Sequence, residues 1–305
     1  MRIVVAGGTG FIGAPLVRSL VEEGNKVTVL TRGVGRVEPR NGVTEVGWDG
    51  QRGGEWEAVI AGADAVINLA GASVAARRWS KAFKRELYES RVRPTRAIVA
   101  AIAKAAQRPA VLLNGSAIGY YGLHEDELLE ESASPGNDFL AQLTVDWEAE
   151  ARRAEALDVR VVLLRTGIVL GHGDGPLAKL RQPFRFFVGG PIGWGEQWYS
   201  WIHRDDELGL IRFALADDRV RGPFNLTAPE PVRARDLARE LGRVLGRPAW
   251  APVPGPILRL AIGEFAAYLL TGQRVVPAAA QRLGYPFRYP TLSAALRELF
   301  PSNEE

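Results

Sequence analysis

The first thirteen residues constrain the fold more than any other part of the chain. Residues 2–6 are mostly apolar and rich in β-branched side chains, and they lead directly into Gly7, Gly10 and Gly13. A buried strand followed by three spaced glycines and a helix is typical of a dinucleotide-binding turn. Gly7 permits a tight turn, Gly10 lets backbone approach a pyrophosphate, and Gly13 lets the helix pack against the sheet. An apolar stripe at helical spacing over residues 16–21 predicts that helix.

We predict that this turn binds the phosphates of a dinucleotide. The first N–H groups of a helix have no intrahelical partner, and the helix dipole is positive there, so a diphosphate is bound without a basic side chain. A glycine turn without a nucleotide is the alternative, and the flanking strand and helix disfavour it. The predicted contacts of the turn are Gly7, Thr9, Gly10, Phe11, Ile12 and Gly13.

Further strands alternate with helical segments along the chain. Apolar or β-branched runs cover residues 26–30, 43–46, 65–69, 111–116 and 159–165, and the stretches between them have helical composition. This alternation predicts an α/β fold with a doubly wound, Rossmann-type parallel sheet and a smaller C-terminal substrate lobe. Ligands then bind in the crevice at the carboxyl ends of the strands.

Three parts follow from this division of the chain. Residues 1–170, completed by about 202–226, form the dinucleotide-binding domain; residues 171–201 form a lid rich in aromatic residues and glycine; residues 227–305 form the C-terminal lobe. Aromatic residues between glycines suit a mobile apolar wall over a ligand, with a plug between lobes or a subunit interface as the alternative. Residues 257–270 are the most apolar later stretch, too short and interrupted to span a bilayer, and we expect a buried helix there.

Composition excludes several classes of protein. The 305 residues are 47% hydrophobic and include no cysteine, so the chain can bury a large core but has no disulfide or thiolate nucleophile. The net charge of +3 comes from scattered arginines, which argues against nucleic-acid binding. No His/Asp/Glu cluster has ligand spacing, so we predict no metal.

The expected partners follow from the same observations. The amino terminus does not read as a signal peptide, and with no cysteine we expect a cytoplasmic protein. We expect a small-molecule substrate and no nucleic-acid or membrane partner, and a homodimer stays open.

The second strand indicates which dinucleotide is bound. It ends at Thr31 and Arg32, where an NAD-selective site carries an acid that accepts the ribose 2′-hydroxyl. A carboxylate repels a 2′-phosphate, whereas an arginine holds it through two parallel hydrogen bonds. The sequence therefore favours NADP as the cofactor, and a solvated loop arginine is the alternative.

Several motifs resemble one family. They are residues 7–13 (GGTGFIG), 68–71 (NLAG), 119–122 (GYYG), 165–171 (RTGIVLG), 189–193 (GGPIG) and 201–203 (WIH). Together they resemble the extended short-chain dehydrogenase/reductases, and more narrowly an atypical, sugar-epimerase-like family with a small C-terminal domain. The resemblance spans nearly the whole chain and places that domain at about residues 251–298. It implies an NADP-dependent, epimerase-like protein with a poorly defined substrate. The cofactor contacts that it implies are Thr31, Arg32, Leu69, Ala70, Glu86, Arg91 and Val169.

The sequence departs from that superfamily in its catalytic residues. Short-chain dehydrogenases use a tyrosine as general acid/base, a lysine four residues later and a serine. Ser116 matches the serine, yet no tyrosine in this chain has a lysine four positions on. Tyr120 and Tyr121 follow Ser116 closely, so either phenol is a candidate for the acid, with aromatic packing as the alternative.

Two functions stay open at this point. One is an oxidoreductase or epimerase that uses NADP(H) on a small polar carbonyl or a sugar-nucleotide-like substrate, with Ser116, Tyr120 and Tyr121 as the catalytic candidates. The other is a catalytically inactive NADP(H)-binding regulatory or scaffold protein. The missing dyad favours the second, while the retained Ser116 and the aromatic lid favour the enzyme, which is our expectation.

Overall fold

The structure is a computed structural model that describes residues 1–32, 37–40, 42–173 and 175–301, with backbone only for 37–40. The strands are β1 (Arg2–Ala6), β2 (Lys26–Thr31), β3 (Val37–Arg40), β4 (Val43–Gly47), β5 (Ala65–Asn68), β6 (Val111–Ala117), β7 (Leu128–Leu129), β8 (Arg160–Thr166), β9 (Ile168–Leu170), β10 (Trp198–Tyr199), β11 (Trp201–His203), β12 (Gly222–Leu226), β13 (Val232–Arg233) and β14 (Arg274–Val275). The helices are α1 (Gly13–Glu22), α2 (Glu57–Ile60), α3 (Lys81–Lys104), α4 (Phe139–Arg152), α5 (Pro176–Arg185), α6 (Arg204–Ala216), α7 (Ala234–Leu245), α8 (Gly255–Ile262), α9 (Ala266–Thr271), α10 (Ala278–Arg282) and α11 (Leu292–Leu299). Short 3-10 helices cover Ile118–Tyr121, Glu155–Leu157 and Gly263–Phe265.

The central sheet confirms the predicted fold class. Its strands lie in the order β12-β8-β6-β5-β1-β2-β4-β3, and all pairs are parallel except β3 with β4. The strand order reverses at β1, since β2 pairs on one side of it and β5 on the other. In a doubly wound sheet the ligand crevice opens at this reversal, beyond the carboxyl ends of the strands.

Successive side chains of β1 enter two cores on opposite faces of the sheet. Ile3 and Val5 pack with Leu16 of α1 and Ile211 of α6. Val4 and Ala6 pack on the other face with residues of α3 such as Ile98. Strand residues alternate between faces, so a strand covered by helices on both sides is apolar throughout.

The C-terminal lobe has a core of its own. Phe184 of α5 and Trp201 of β11 pack there with side chains of α7 and α11. The predicted lid, residues 171–201, therefore contributes partly to a packed core rather than only to a mobile cover.

The apolar stretch 257–270 is not the single buried helix that its composition predicts. Gly263, with φ +68°, ends α8, and α9 begins three residues later. All of α8 is described and none of its residues is buried; Leu260 is 77% exposed. Among the described residues, no helix has the length and apolarity needed to cross a membrane.

Candidate functional site

The glycine turn between β1 and α1 has no room for side chains at two positions. Gly7 has φ +79°, and a Cβ there would lie 2.7 Å from the carbonyl carbon of Leu69. A Cβ on Gly13 would lie 2.1 Å from the carbonyl oxygen of Gly7. The backbone of Leu69 and Ala70, just after β5, therefore lies against the turn.

The outer side of this turn fits an anionic group. A Cβ on Gly10 would meet only the Gly7 carbonyl oxygen, at 3.3 Å, and Thr9 and Gly10 are exposed. Helix α1 is described throughout and has no acidic residue in its first turn. Phe11 and Ile12 are half-buried at the helix start, and the Phe11 ring packs beneath Gly175. A helix start without acidic side chains and with open space beside it suits a phosphate.

Thr31 and Arg32 lie at the carboxyl end of β2, next to this turn in the sheet. The Thr31 carbonyl accepts a hydrogen bond from the Trp48 backbone N–H at 3.1 Å. Arg32 is exposed, and no carboxylate among the described residues forms an ion pair with it. Residues 33–36, which follow, lie outside the described part of the chain.

Arg91 of α3 is a poorly solvated cation held by carbonyl groups. Its guanidinium donates to the carbonyl oxygens of Leu87, at 3.0 Å, and Ala72, at 2.8 Å. It lies 5.3 Å from the centre of the Trp147 ring. Burial lowers the pKa of Arg91 to about 10, and within the described residues no carboxylate is paired with it. A half-buried charge without an ionic partner suits an anionic ligand.

Glu86, one turn earlier on α3, is in a different environment. It is exposed and forms an ion pair with Arg77. The resemblance implied cofactor contacts for both Glu86 and Arg91, and only Arg91 lies in the crevice of this conformation.

A cavity of about 220 Å³ opens at the carboxyl ends of β6 and β8. Most of the surface is apolar, and residues from seven separate segments of the chain form it. They are Val74, Arg91, Ala117, Ile118, Gly119, Leu140, Leu143, Thr144, Trp147, Thr166, Gly167, Ile168, Trp198, Tyr199, Ser200, Phe265, Tyr268, Leu269, Gly272 and Gln273. Arg91 thus joins the cavity wall to Ala72, in the loop that follows β5.

Helix α4 presents Leu140 and Thr144 to this cavity, four residues apart. That is the spacing of the tyrosine and lysine in the resembled enzymes. The leucine side chain has no proton to transfer, and the Thr144 hydroxyl donates to the Leu140 carbonyl at 2.7 Å. The tyrosine and lysine are therefore absent from the face of α4 that lines the cavity.

Ser116, the match to the catalytic serine, is part of a buried ion-pair network. Its hydroxyl donates to Glu148 Oε1 at 2.6 Å, and Arg165 binds both Glu148 oxygens at 2.8 and 2.9 Å. Arg165 also donates to the Tyr121 hydroxyl at 3.1 Å, which donates to Asn225 at 2.6 Å. Every side-chain group in this chain of bonds has a protein partner.

The paired tyrosines differ in how accessible their hydroxyls are. Tyr121 is fully buried, and burial raises the pKa of Tyr121 to about 12. Tyr120 is half-buried, with its ring 3.4 Å from the guanidinium carbon of Arg165. Neither ring is among the side chains that line the cavity, although Ile118 and Gly119 just before them are.

Two hydrogen-bonded pairs near the cavity, each containing a carboxyl group, were not predicted from the sequence. The Tyr268 hydroxyl donates to Asp138 Oδ1 at 2.8 Å, and burial raises the pKa of that phenol. Thr166 donates to Glu207 Oε1 at 2.9 Å, and burial raises the pKa of Glu207 to about 8. Neither pair belongs to a sequence motif, because its partners are tens of residues or more apart.

Val169 does not line the cavity, whereas part of the predicted lid does. The Val169 side chain is buried in the core beside Ile202, whereas its neighbour Ile168 lines the cavity. In the lid, Trp198 and Tyr199 line the cavity, and Trp194 is 90% exposed. Within the described ranges, no group of three or more His, Cys, Asp or Glu residues could hold a metal.

The sheet order, the glycine turn and the cavity define a Rossmann-type α/β protein with the architecture of extended short-chain dehydrogenase/reductases. Residues 3–226 match the model of the NAD dependent epimerase/dehydratase family, and residues 253–299 match a domain of unknown function, DUF1731. The chain belongs to the NAD dependent epimerase/dehydratase family.

Individual relatives are similar to this chain over nearly its full length. A chloroplastic epimerase family protein, the SDR39U1 homolog of Arabidopsis thaliana, is 41% identical over 302 residues, which cover 98% of this chain and 86% of the relative. An epimerase family protein of Mycobacterium bovis is 40% identical over 295 residues, with 96% of each chain covered.

Solved structures show the same architecture. The crystal structure of human epimerase family protein SDR39U1 with NADPH has a TM-score of 0.87 and 34% identity, covering 99% of this chain and 100% of that one. A nucleoside-diphosphate sugar epimerase from Corynebacterium glutamicum has a TM-score of 0.80 and 30% identity, covering 98% of this chain and 58% of that one.

Proposed function

We propose that the protein binds NADP(H) along the carboxyl edge of its sheet. The turn from Gly7 to Gly13 would hold the pyrophosphate, and Leu69 and Ala70 would lie along the adjoining ribose. The observation that carries this proposal is the turn itself, which has no room for a side chain at Gly7 or Gly13 and leaves the outer side of Gly10 open. The NADPH in the human relative's structure supports it.

Arg32 and Arg91 would supply the two cations of this site. Arg32 lies where an arginine selects the 2′-phosphate of NADP over the 2′-hydroxyl of NAD. Arg91 lines the cavity and binds the Ala72 carbonyl just after β5, and it has no carboxylate partner among the described residues. An anionic group of the cofactor would therefore be its ionic partner.

We further propose that the cavity holds a small substrate beside the nicotinamide. Bound NADP(H) would supply or accept a hydride there, and the chain's own groups would orient the substrate, exclude water and move a proton. The largely apolar lining and the volume of about 220 Å³ favour a small carbonyl compound over a whole sugar nucleotide.

The proton transfer needs a group other than the usual dyad. Ser116, Tyr120 and Tyr121 stay candidates from the sequence, but the Ser116 and Tyr121 hydroxyls are engaged in the Arg165 network. Tyr268 is the phenol on the cavity wall with a carboxylate, Asp138, at hydrogen-bond distance. We therefore add Tyr268 to the candidates for general acid.

A second function is favoured by one observation. Leu140 and Thr144 occupy the positions on α4 where a proton-transferring pair would face the cavity. A protein that binds NADP(H) without turnover, as a regulator or scaffold, needs no such pair. The absence of cysteine supports a cytoplasmic location for either function.

Titration with NADPH and NADH tests the cofactor proposal. Energy transfer from tryptophan to the bound nicotinamide would report binding. We expect NADPH to bind at least about tenfold more tightly than NADH, because charge-assisted hydrogen bonds contribute about 1.5–3 kcal/mol, and we expect Arg32→Gln to remove most of that preference. Equal affinities in the unmodified protein would remove Arg32 as the selector, and binding of neither nucleotide would overturn the proposal.

Turnover distinguishes the two functions. The NADPH-loaded protein would be mixed with small aldehydes and ketones while NADPH absorbance is followed, and the NADP⁺-loaded protein would be mixed with nucleotide sugars, with the sugar products analysed because an epimerisation consumes no cofactor. The variants Ser116→Ala, Tyr120→Phe, Tyr121→Phe and Tyr268→Phe, each first shown to bind NADPH, would then be compared on any active substrate. Loss of rate in Tyr268→Phe alone would assign the acid to that phenol, and no turnover by the unmodified protein would favour the regulator.

A further inference from the structure

The outer side of the C-terminal lobe carries an apolar surface that the proposed function does not use. Its side chains come from residues 186–194 and 250–260, and none of them lines the described cavity. The exposed members are Phe186, Phe187, Val188, Trp194, Trp250, Ile257 and Leu260. A contiguous exposed apolar patch marks an interaction site, whereas single exposed apolar residues do not.

Backbone pairing makes these two segments one surface. Parallel bridges join Gly189 to Ala249 and Ile192 to Val253. The Trp250 indole N–H donates to the Phe187 carbonyl at 2.9 Å. The two segments therefore lie side by side along this edge of the lobe.

Leu270 brings the remaining members of the patch together. One of its methyl groups lies 2.8 Å from the position of a Cβ on Gly193, and the other lies 3.4 Å from that on Gly255. Trp194 and the first turn of α8 are therefore close to each other, so Ile257 and Leu260 continue the same surface.

The two segments that carry this surface are rich in basic residues, and the neighbouring acids Glu196, Glu240 and Glu264 are each paired with a cation. Residues 175–195 and 241–263 contain no acidic residue. Their basic residues are Lys179, Arg181, Arg185, Arg243, Arg247 and Arg259. The Arg247 guanidinium lies 4.5 Å from the centre of the Phe187 ring, so cations and exposed aromatic rings are interleaved.

We propose that this surface, residues 186–194 and 250–260, docks on an anionic lipid membrane. Tryptophan and leucine side chains enter the boundary between headgroups and acyl chains, while arginines bind lipid phosphates. A symmetric contact between two copies is disfavoured, because it would place the basic patch of one copy against the same basic patch of the other. This mode needs no spanning helix, and it is an alternative to the sequence expectation of no membrane partner.

Vesicle sedimentation tests the proposal. The full-length protein would be mixed with vesicles of phosphatidylcholine alone or of phosphatidylcholine and phosphatidylglycerol in equal parts. We expect sedimentation with the anionic vesicles only, weakened by salt because the ionic attraction is screened. The double variant Trp194→Ser/Leu260→Asp and the double variant Arg185→Glu/Arg247→Glu should each lose binding at least about tenfold.

Matched substitutions elsewhere separate docking from general loss of charge or apolar surface. Leu123→Ser removes another exposed apolar side chain, and Arg18→Glu reverses another exposed arginine. Both should bind vesicles like the unmodified protein, and NADPH affinity should be unchanged in all four variants. Failure to sediment, or equal losses in the control variants, would overturn the proposal. So would a dimer without vesicles that Trp194→Ser/Leu260→Asp dissociates, because the occupant would then be a second copy.

Discussion

The two halves of the candidate site are built in different ways. The glycine turn is formed by adjacent residues and by the next strand of the sheet, and its shape depends on backbone that tolerates no Cβ at Gly7 or Gly13. The cavity is formed by side chains from α3, α4, the end of β8 and the C-terminal lobe, up to about 200 residues apart. The first half suits a ligand recognised through its phosphates, and the second suits a ligand recognised by shape and apolar contact.

This difference separates what the backbone of the turn can recognise from what the side chains of the cavity can recognise. Backbone amides bind a pyrophosphate whatever reaction follows, so the turn indicates a cofactor and no substrate. The side chains of the cavity decide which molecule fits beside the nicotinamide. Leu140 and Thr144 on its wall leave the proton transfer to another group or to none.

The largest effect should come from the turn. Gly13→Ala places a Cβ 2.1 Å from the Gly7 oxygen, so we expect loss of more than about 3 kcal/mol in unfolding free energy and no measurable NADPH binding. Gly10→Ala is the matched variant, because its Cβ meets only one oxygen at 3.3 Å, on the side open to the ligand. It should keep its melting temperature and lose NADPH affinity. If Gly10→Ala binds NADPH normally, the pyrophosphate does not lie on this turn.

The buried ion pair beside the cavity should give the next largest effect, on stability. Glu148→Gln leaves the Arg165 charge buried without a carboxylate, at a cost of about 3–5 kcal/mol in urea unfolding. The matched variant is Glu150→Gln on the same helix, whose partner Arg96 is exposed, with a cost below about 1 kcal/mol. Similar costs in both variants would show that the Glu148 network is not a buried support of the site.

The turn was predictable from sequence because its information is local. Three glycines at fixed spacing after a β-branched run determine the strand, the turn and the helix start. The absence of a tyrosine and lysine four residues apart was equally readable. The direction in which a side chain points was not readable. In β9, successive side chains alternate, so Ile168 faces the cavity and Val169 faces the core. The strand is too short for a sequence pattern to show this.

The cavity could not be predicted because its contacts are non-local. Tyr268 meets Asp138 across 130 residues, and nothing near either residue indicates the pairing. Arg165 belongs to a recognised motif, but its carboxylate partner Glu148 lies on a different element. The stretch 257–270 was misjudged because apolar composition usually means burial, whereas α8 keeps its apolar side chains exposed.

The raised pKa of Glu207 predicts that the free energy of unfolding depends on pH. The carboxyl has a pKa of about 8 in the folded protein, well above the ordinary value, since burial disfavours its charged form. The unfolded chain therefore releases this proton first, and stability present below about pH 4.5 is lost as pH rises to about 8. We expect a loss of about 2–4 kcal/mol over that range from this group.

Urea unfolding of Glu207→Gln across that pH range measures the effect. The amide keeps a partner for Thr166 without a titrating group, so the variant should lose less stability toward alkaline pH. Glu22→Gln, an exposed acid of α1, should follow the unmodified protein. Parallel curves for all three proteins would mean that Glu207 is ionised in the folded state.

The smallest effect should come from Arg91, which lines the cavity and binds the loop after β5. Arg91→Met keeps the packing against Trp147 and removes the charge, so NADPH affinity should fall about tenfold to a hundredfold, as for a charge-assisted hydrogen bond. Arg93→Met, two residues later on α3, removes an exposed arginine paired with Glu89 and should leave affinity unchanged. If Arg91→Met instead lowers the melting temperature and binds NADPH normally, the cation supports the loop at Ala72 rather than the cofactor. The turn and the cavity would then be joined by packing alone.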